Sequence, residues 1–282
     1  MAETRGALPR PNEKQKIIQH YDTVSPYYQS LWGNHIHHGY WIRGDESKEA
    51  AQEQLIDYVA NLAGVRPGCR LLDIGCGYGG TSLSLARRFG VSATGITISP
   101  VQVEMANRGA AEQRLDAKFL LMDAEALQFP QPFDVLWSLE SISHYHDVGA
   151  FFVSAAKHLK PGGTFALTDW FRKEGLSPAQ KKKFIQPIEQ GMFVELHEMD
   201  EYERLLNAAG FHVSHREVLN DRCSKTWDLG ASIIKDGTFW ALAAKQGPHF
   251  ITYLKAFQGL RAGYSSGNFV YGLFVAKKPL AE

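Results

Sequence analysis

Asp73, Gly75, Gly77 and Gly80 stand together in LLDIGCGYGG, residues 71–80, and they set the chemistry that the rest of the chain must serve. Glycine accepts positive φ and carries no Cβ, so an apolar strand followed by this run is a turn shaped to let a ligand approach the start of a helix. Gly75, Gly77 and Gly80 satisfy the GxGxxG spacing of dinucleotide sites. Asp73 argues for a different ligand. A pyrophosphate wants the N–H groups of a helix N-terminus with no carboxylate beside them, whereas a carboxylate at the strand end suits a cation.

A second reactive group is ESISHYHD, residues 140–147, directly after the apolar run FDVLWSL. A strand ending there would turn Glu140 and His144 towards the ligand. Histidine is the side chain most easily poised as a base near neutral pH, and a well-placed base contributes roughly 10²–10⁴-fold. A structural role for His144 is the alternative. A third group, His35, His37 and His38, invites a metal, but HxHH without a converging carboxylate or distant histidine does not make a site, and no metal is assigned. At the end of the second apolar strand stands Thr97, where a dinucleotide enzyme would carry an acid for the ribose.

The D-x-G-x-G order of Asp73, Gly75 and Gly77 resembles the first motif of class I S-adenosylmethionine (SAM) methyltransferases. HHGYW at residues 37–41 and the GxTxSxxQ form carried by Gly95, Thr97, Ser99 and Gln102 narrow the resemblance to the tocopherol methyltransferase-like group and its sterol and cyclopropane-type relatives. The resemblance covers about residues 21–279 and implies SAM as cofactor. It further implies that Asp73, Gly75, Gly77, Thr97, Ile98, Gln102, Asp123, Ala124, Ser138 and Tyr21 contact SAM, Asp123 taking the adenine amino group. Gln102 could equally be a solvated residue of the first helical turn, and Asp123 could cap the turn after it. Glu140 and His144 become the catalytic residues, and His38, Tyr40 and Trp41 the substrate contacts. One departure matters. Those relatives show Glu-His where this chain has Ser143-His144, which puts carboxylate-assisted or bicarbonate-dependent chemistry in doubt.

These residues need elements to position them. Residues 1–12 read as a loose tail, and 13–64 as a helical lid, with Ser25-Pro26 breaking the first helix in two and a second helix running from Ser47 to Gly64. The aromatic cluster of Tyr27, Tyr28, Trp32, Tyr40 and Trp41 either packs the lid onto the domain or lines the substrate site. From 65 onward strands alternate with helices, LKPGG forming a tight turn before the fifth strand. An aromatic-rich helical insertion at about 226–263 precedes the last strand, NFVYGLFVA. The fold class is α/β, a doubly wound Rossmann-like sheet of up to seven strands.

The 30 basic residues balance 30 acidic ones, so no global field draws the chain to nucleic acid or anionic lipid. No run approaches the roughly 18 apolar residues of a membrane span. Cys69, Cys76 and Cys223 form no CxxC pair, and together with the absence of a leader-like segment they point to the cytoplasm. The implied function is methyl transfer from SAM to a small, partly apolar or aromatic acceptor, of a kind met in secondary metabolism, at carbon or nitrogen ahead of oxygen. A homo-oligomer is compatible with this. Two other classes stay open at this point: a protein that holds SAM without turnover, and a nicotinamide oxidoreductase, which Asp73 and Thr97 disfavour.

Overall fold

The computed structural model describes residues 11–232, 240 and 249–280. Its strands are β1 (Arg70–Ile74), β2 (Ser92–Thr97), β3 (Ala117–Leu121), β4 (Phe133–Leu139), β5 (Leu159–Arg172), β6 (His212–Val218) and β7 (Phe269–Lys277), in one sheet of order β3-β2-β1-β4-β5-β7-β6. β1 to β5 pair in parallel, while β7 runs antiparallel to both β5 and β6. The inner strands are apolar on both faces because helices cover both faces. Leu71, Leu72, Leu136, Trp137, Phe165 and Leu167 are accordingly fully buried.

The helices start and stop where local chemistry satisfies their free backbone groups. α2 (Lys48–Ala63) begins with the Ser47 side chain accepting from the Ala50 N–H and ends at left-handed Gly64. Its inner face of Leu55, Ile56, Val59 and Ala60 is buried against the same core as β1 and β5, so α2 is a flank of the domain rather than a lid. α3 (Gly80–Phe89) follows the glycine turn, α4 (Pro100–Gln113) is capped by Ser99, and α5 (Val148–Lys157) is capped by Asp147.

Two expectations are corrected. α1 runs unbroken from Pro11 to Trp32 with Pro26 inside it. Ser25 Oγ donates back to the Tyr21 carbonyl at 2.6 Å, holding the turn where proline has removed an N–H. LKPGG is not a turn ahead of β5 but an irregularity within it. The register jumps from Phe133↔Leu159 to Val135↔Thr164 across left-handed Gly162.

Beyond β5 a broken helix (Pro178–Gln180, a π turn at Lys181–Ile185, then Gln186–Met192) crosses the helix His249–Ser265. The crossing is close because Gly191 has no side chain: a Cβ there would lie 2.5 Å from Ala256 Cβ. The inferred insertion is helical at Lys225–Ser232 and His249–Ser265. Its residues 233–239 and 241–248, Phe239 among them, and the tail at 1–10 lie outside the described residues.

Candidate active site

In an open parallel sheet a crevice forms at the carboxyl ends of the strands where the strand order reverses, here between β1 and β4. A cavity of about 230 Å³ lies there, bordered by α1, residues 34–38, the glycine turn, the ends of β2 and β4, and the C-terminal helices. Asp73, Gly75, Gly77, Thr97, Ile98, Gln102, Asp123, Ala124, Tyr21, His38, Glu140 and His144 all border it.

Asp73 is buried at the end of β1 and accepts from Ser82 Oγ at 2.6 Å. Burial pushes its carboxyl up to about 7, only partly offset by that hydrogen bond. A carboxylate so desolvated is stabilised by a cation. The glycine turn beside it is tightly covered: a Cβ on Gly75 would lie 2.3 Å from Ser141 Cβ, and one on Gly77 would lie 3.1 Å from Ile36 Cδ1. This bare backbone and buried acid fit SAM, whose bound form brings an ammonium and a sulfonium-activated methyl. Asp73, Gly75 and Gly77 would hold it, with Thr97, Ile98 and Gln102 across the cavity.

α1 closes over this part of the cavity through polar contacts that land on site residues. Lys14 Nζ donates to Asp123 and Glu125, Ser99 Oγ donates to Asp22, and Gln102 Nε2 donates to Ser25 Oγ. Thr97 Oγ1 donates to Gln102 Oε1 at 2.6 Å. Asp123 also caps the turn after β3 by accepting from the Glu125 N–H, so its capping and cavity roles coexist.

Glu140 occupies the left-handed region with φ 57°, an unusual conformation for a side chain of its size. That turn aims its carboxylate at the segment 34–38 rather than along the strand. Glu140 Oε1 accepts from the His38 backbone N–H at 2.6 Å and from Tyr271 Oη at 2.8 Å, while Oε2 accepts from Trp170 Nε1 at 2.9 Å. Burial would raise Glu140, but the adjacent His38 imidazole, then His37 and the His38 backbone N–H, outweigh it and hold the carboxyl at about 2. His38 Nδ1 lies 3.0 Å from Glu140 Oε1, and its ring stacks on Tyr271 with centroids 4.1 Å apart.

His144 is fixed at both nitrogens. Nδ1 lies 2.9 Å from the Phe193 carbonyl, which can only accept, so Nδ1 carries the proton and Nε2 accepts from Tyr21 Oη at 3.0 Å. Phe193 is itself left-handed, φ 56°, at the end of the Gln186–Met192 helix. Burial lowers His144 below its ordinary value and so keeps it neutral. Nε2 is thus already engaged by the Tyr21 hydroxyl.

Three assignments are corrected by position. Ser138 does not border the cavity; it sits one layer behind, its Oγ 2.8 Å from that of Ser141. Tyr40 stacks on Tyr58 at 4.7 Å, and buried Trp41 donates its Nε1 to the Glu46 carbonyl, so both anchor the segment to α2 and its N-terminal loop, away from the cavity. Tyr40→Ala is therefore expected to cost about 1 kcal/mol of stability, the worth of an aromatic pair, and to leave the acceptor KM unchanged. Chemical denaturation and steady-state kinetics would check the two halves. Lys14, Trp170, Trp227 and Tyr271 were not assigned to the site from sequence, although the first three border the cavity and Tyr271 holds Glu140. The histidines turn to separate partners: His35 Nε2 lies 3.1 Å from Glu53 and His37 Nδ1 donates to the His38 carbonyl. Among the described residues no group of three ligating side chains could hold a metal.

A doubly wound sheet of this order, with a buried acid and a glycine turn at the switch point, defines a Rossmann-like SAM-dependent methyltransferase. Residues 9–256 match the mycolic acid cyclopropane synthetase family, and the chain belongs to that family. It is 33% identical to 27-O-demethylrifamycin SV methyltransferase of Amycolatopsis mediterranei, over 96% of this chain and 98% of that protein. It is 27% identical to the chloroplastic tocopherol O-methyltransferase of Arabidopsis thaliana, over 95% of this chain and 83% of that one. Among solved structures it resembles mycolic acid cyclopropane synthase CmaA1 complexed with SAH and CTAB, with a TM-score of 0.85, 24% identity, and coverage of 96% of this chain and 99% of that chain. The protein is a methyltransferase that uses SAM, and the tocopherol-type and cyclopropane-type resemblance holds. Among the described residues no helix is long and apolar enough to cross a membrane.

Proposed function

We propose that the protein methylates a hydroxyl group on a small, largely apolar molecule of secondary metabolism, in the cytoplasm. One observation carries this reading: Trp170, Met192, Val194, Trp227 and Phe257 share a cavity with buried His38 and half-buried His144. Aromatic and aliphatic walls suit an apolar body, and an imidazole beside them suits a group that must lose a proton to become a nucleophile. A neutral amine needs only its lone pair and would leave both histidines without a task. The geometry thus moves the weight from nitrogen towards oxygen, or towards a ring carbon activated by a phenolate. The relatives named for O-methylation, of rifamycin and of tocopherol type, agree with that. The three cysteines are free, as a reducing compartment allows.

The test uses methyl-labelled SAM and matched apolar acceptors: a phenol or alcohol, its methyl ether and the corresponding amine. Label is expected in the hydroxyl compound at least about tenfold faster than in the others, the discrimination typical of a site built around one polar group. Preferential labelling of the amine would overturn the reading.

A further inference from the structure

Five histidines border the cavity, His20, His35, His37, His38 and His144, and of these His38 and His144 are not equivalent. His144 has both ring nitrogens engaged, Nδ1 by the Phe193 carbonyl and Nε2 by Tyr21. His38 is 1% exposed and borders the cavity, and its Nε2 has no hydrogen-bond partner among the described residues. Its Nδ1 faces a carboxylate, Glu140 Oε1, at 3.0 Å, as an ion-pair contact rather than a well-aligned hydrogen bond. A buried polar atom with no partner is costly, and on a residue that borders a reaction chamber it marks a place for a ligand group. His35 Nδ1 and His37 Nε2 lack partners as well, but it is His38 whose other ring nitrogen abuts Glu140 at the end of β4.

We propose that His38 is the general base of the reaction and Glu140 its positioning residue. The inference rests on the hydroxyl reading above and names the atom that takes the proton. A carboxylate beside Nδ1 favours the tautomer with its proton there, which leaves the Nε2 lone pair to the acceptor. As the acceptor oxygen attacks the methyl carbon of SAM, its O–H proton passes to His38 Nε2. The new O–C bond forms, the C–S bond breaks, and its electron pair stays on sulfur to give S-adenosylhomocysteine. The imidazolium that results lies against the Glu140 carboxylate, and its proton is lost to solvent after product leaves. The ring cannot swing away, because Tyr271 stacks on it and Trp227 meets it edge-on at 5.1 Å. Glu140 is held in turn by Trp170 and Tyr271.

The inference gives the HxHH segment a task that neither a metal nor a passive substrate contact supplied. It also explains the left-handed Glu140. A β conformation would carry the carboxylate away from residue 38, and the strain of φ 57° is held where the site needs the acid.

Two measurements test it. The first needs no acceptor: ¹⁵N spectra of histidine-labelled protein should show His38 protonated at Nδ1 and bare at Nε2, and Glu140→Gln should shift that tautomer balance. A protonated Nε2 in the neutral ring overturns the proposal. The second uses the hydroxyl acceptor of the preceding assay. His38→Ala is expected to lower kcat by roughly 10²–10⁴-fold, with SAH binding retained and activity partly restored by added imidazole. Should His38→Ala be unfolded, His38→Gln, which keeps polar atoms but no base, is expected to show the same loss. Glu140→Gln should lose about tenfold and Glu140→Asp less. Imidazole rescue of His144→Ala, with His38→Ala near wild-type, overturns the assignment. A wild-type protein that has the expected tautomer but methylates no hydroxyl compound sinks the reading of function, not the dyad.

Discussion

Gly80→Ala is expected to weaken SAH binding and to slow methyl transfer on the order of 10²-fold, the rate loss when a site is displaced by about 1 Å. By local propensity alone the change should help, since alanine in a helix is favoured over glycine by about 1 kcal/mol. Sterics decide otherwise. A Cβ on Gly80 would lie 1.7 Å from the Asn34 carbonyl oxygen and 3.0 Å from His35 Nδ1. The two nearest obstructing atoms belong to the Asn34 backbone, and that backbone is pinned. Gln52, fully buried on α2, donates to the His35 and His37 carbonyls at 3.0 and 2.9 Å, and Tyr78 donates to the Gly33 carbonyl. The segment 33–38 cannot withdraw without losing these bonds, and it carries His38 and Ile36 over the glycine turn. Overpacking of this kind also costs about 1–3 kcal/mol of stability. Gly109→Ala in α4 is the control, since its new methyl group meets only side-chain tips, Leu83 Cδ1 at 3.0 Å and Gln113 Nε2 at 4.0 Å. Calorimetry with SAH on both variants checks the contrast, and wild-type affinity in Gly80→Ala would refute it.

The same position shows how far the sequence was legible. Gly80 could be read as part of a ligand turn, since strand, acid and glycines are adjacent in the chain and the turn is a local structure. The strand and helix pattern of the core was legible for that reason too: Ser47 and Ser99 caps, the Gly64 stop and the apolar runs act within a few residues. What pins Gly80 is Asn34, some fifty residues away, and no periodicity reports that distance. Tyr40 and Trp41 were misplaced by the same blindness. Their ring types suit a substrate wall, but the turn at Gly39 sends them to α2 and Glu46, while His37 and His38 border the cavity. Pro26 misled in the other direction. A proline in a helical pattern reads as a break, and it takes the Ser25-to-Tyr21 bond and the anchoring of α1 to Asp123 and Gln102 to keep one helix continuous. Glu140 was found by position in the chain, but its conformation and its four donors and neighbours come from β5, β7 and residue 38, which converge only in the folded sheet.

Asp73→Asn is expected to stabilise the ligand-free protein while it abolishes most of the affinity for SAM. The two effects have one origin. Burial raises the Asp73 carboxyl from its ordinary 3.8 to about 7, so folding favours the protonated form. The sign follows: this group's contribution to stability is full below pH 3.8, declines as pH rises towards 7, and is lost above it. By linkage the cost of keeping the charge buried above pH 7 is about 4 kcal/mol as an upper figure. Asparagine removes the charge and can still accept from Ser82, so the variant should melt higher than wild type at pH 8 and show little difference at pH 4. Asp169, also buried and raised to about 7, hydrogen-bonds Tyr202 and remains in both proteins, so a residual pH slope persists. A cationic ligand reverses the balance, because it favours the carboxylate and drives its proton off. Wild-type affinity for SAM should therefore weaken as pH falls below 7, by up to about tenfold per unit, whereas the Asp73→Asn variant should bind weakly at every pH with that dependence gone. Thermal melts with and without SAM between pH 5 and 8 read both effects at once. An Asp73→Asn protein that melts no higher at pH 8 and keeps the wild-type pH dependence of SAM binding would show that the charge at Asp73 is not what the turn was built around.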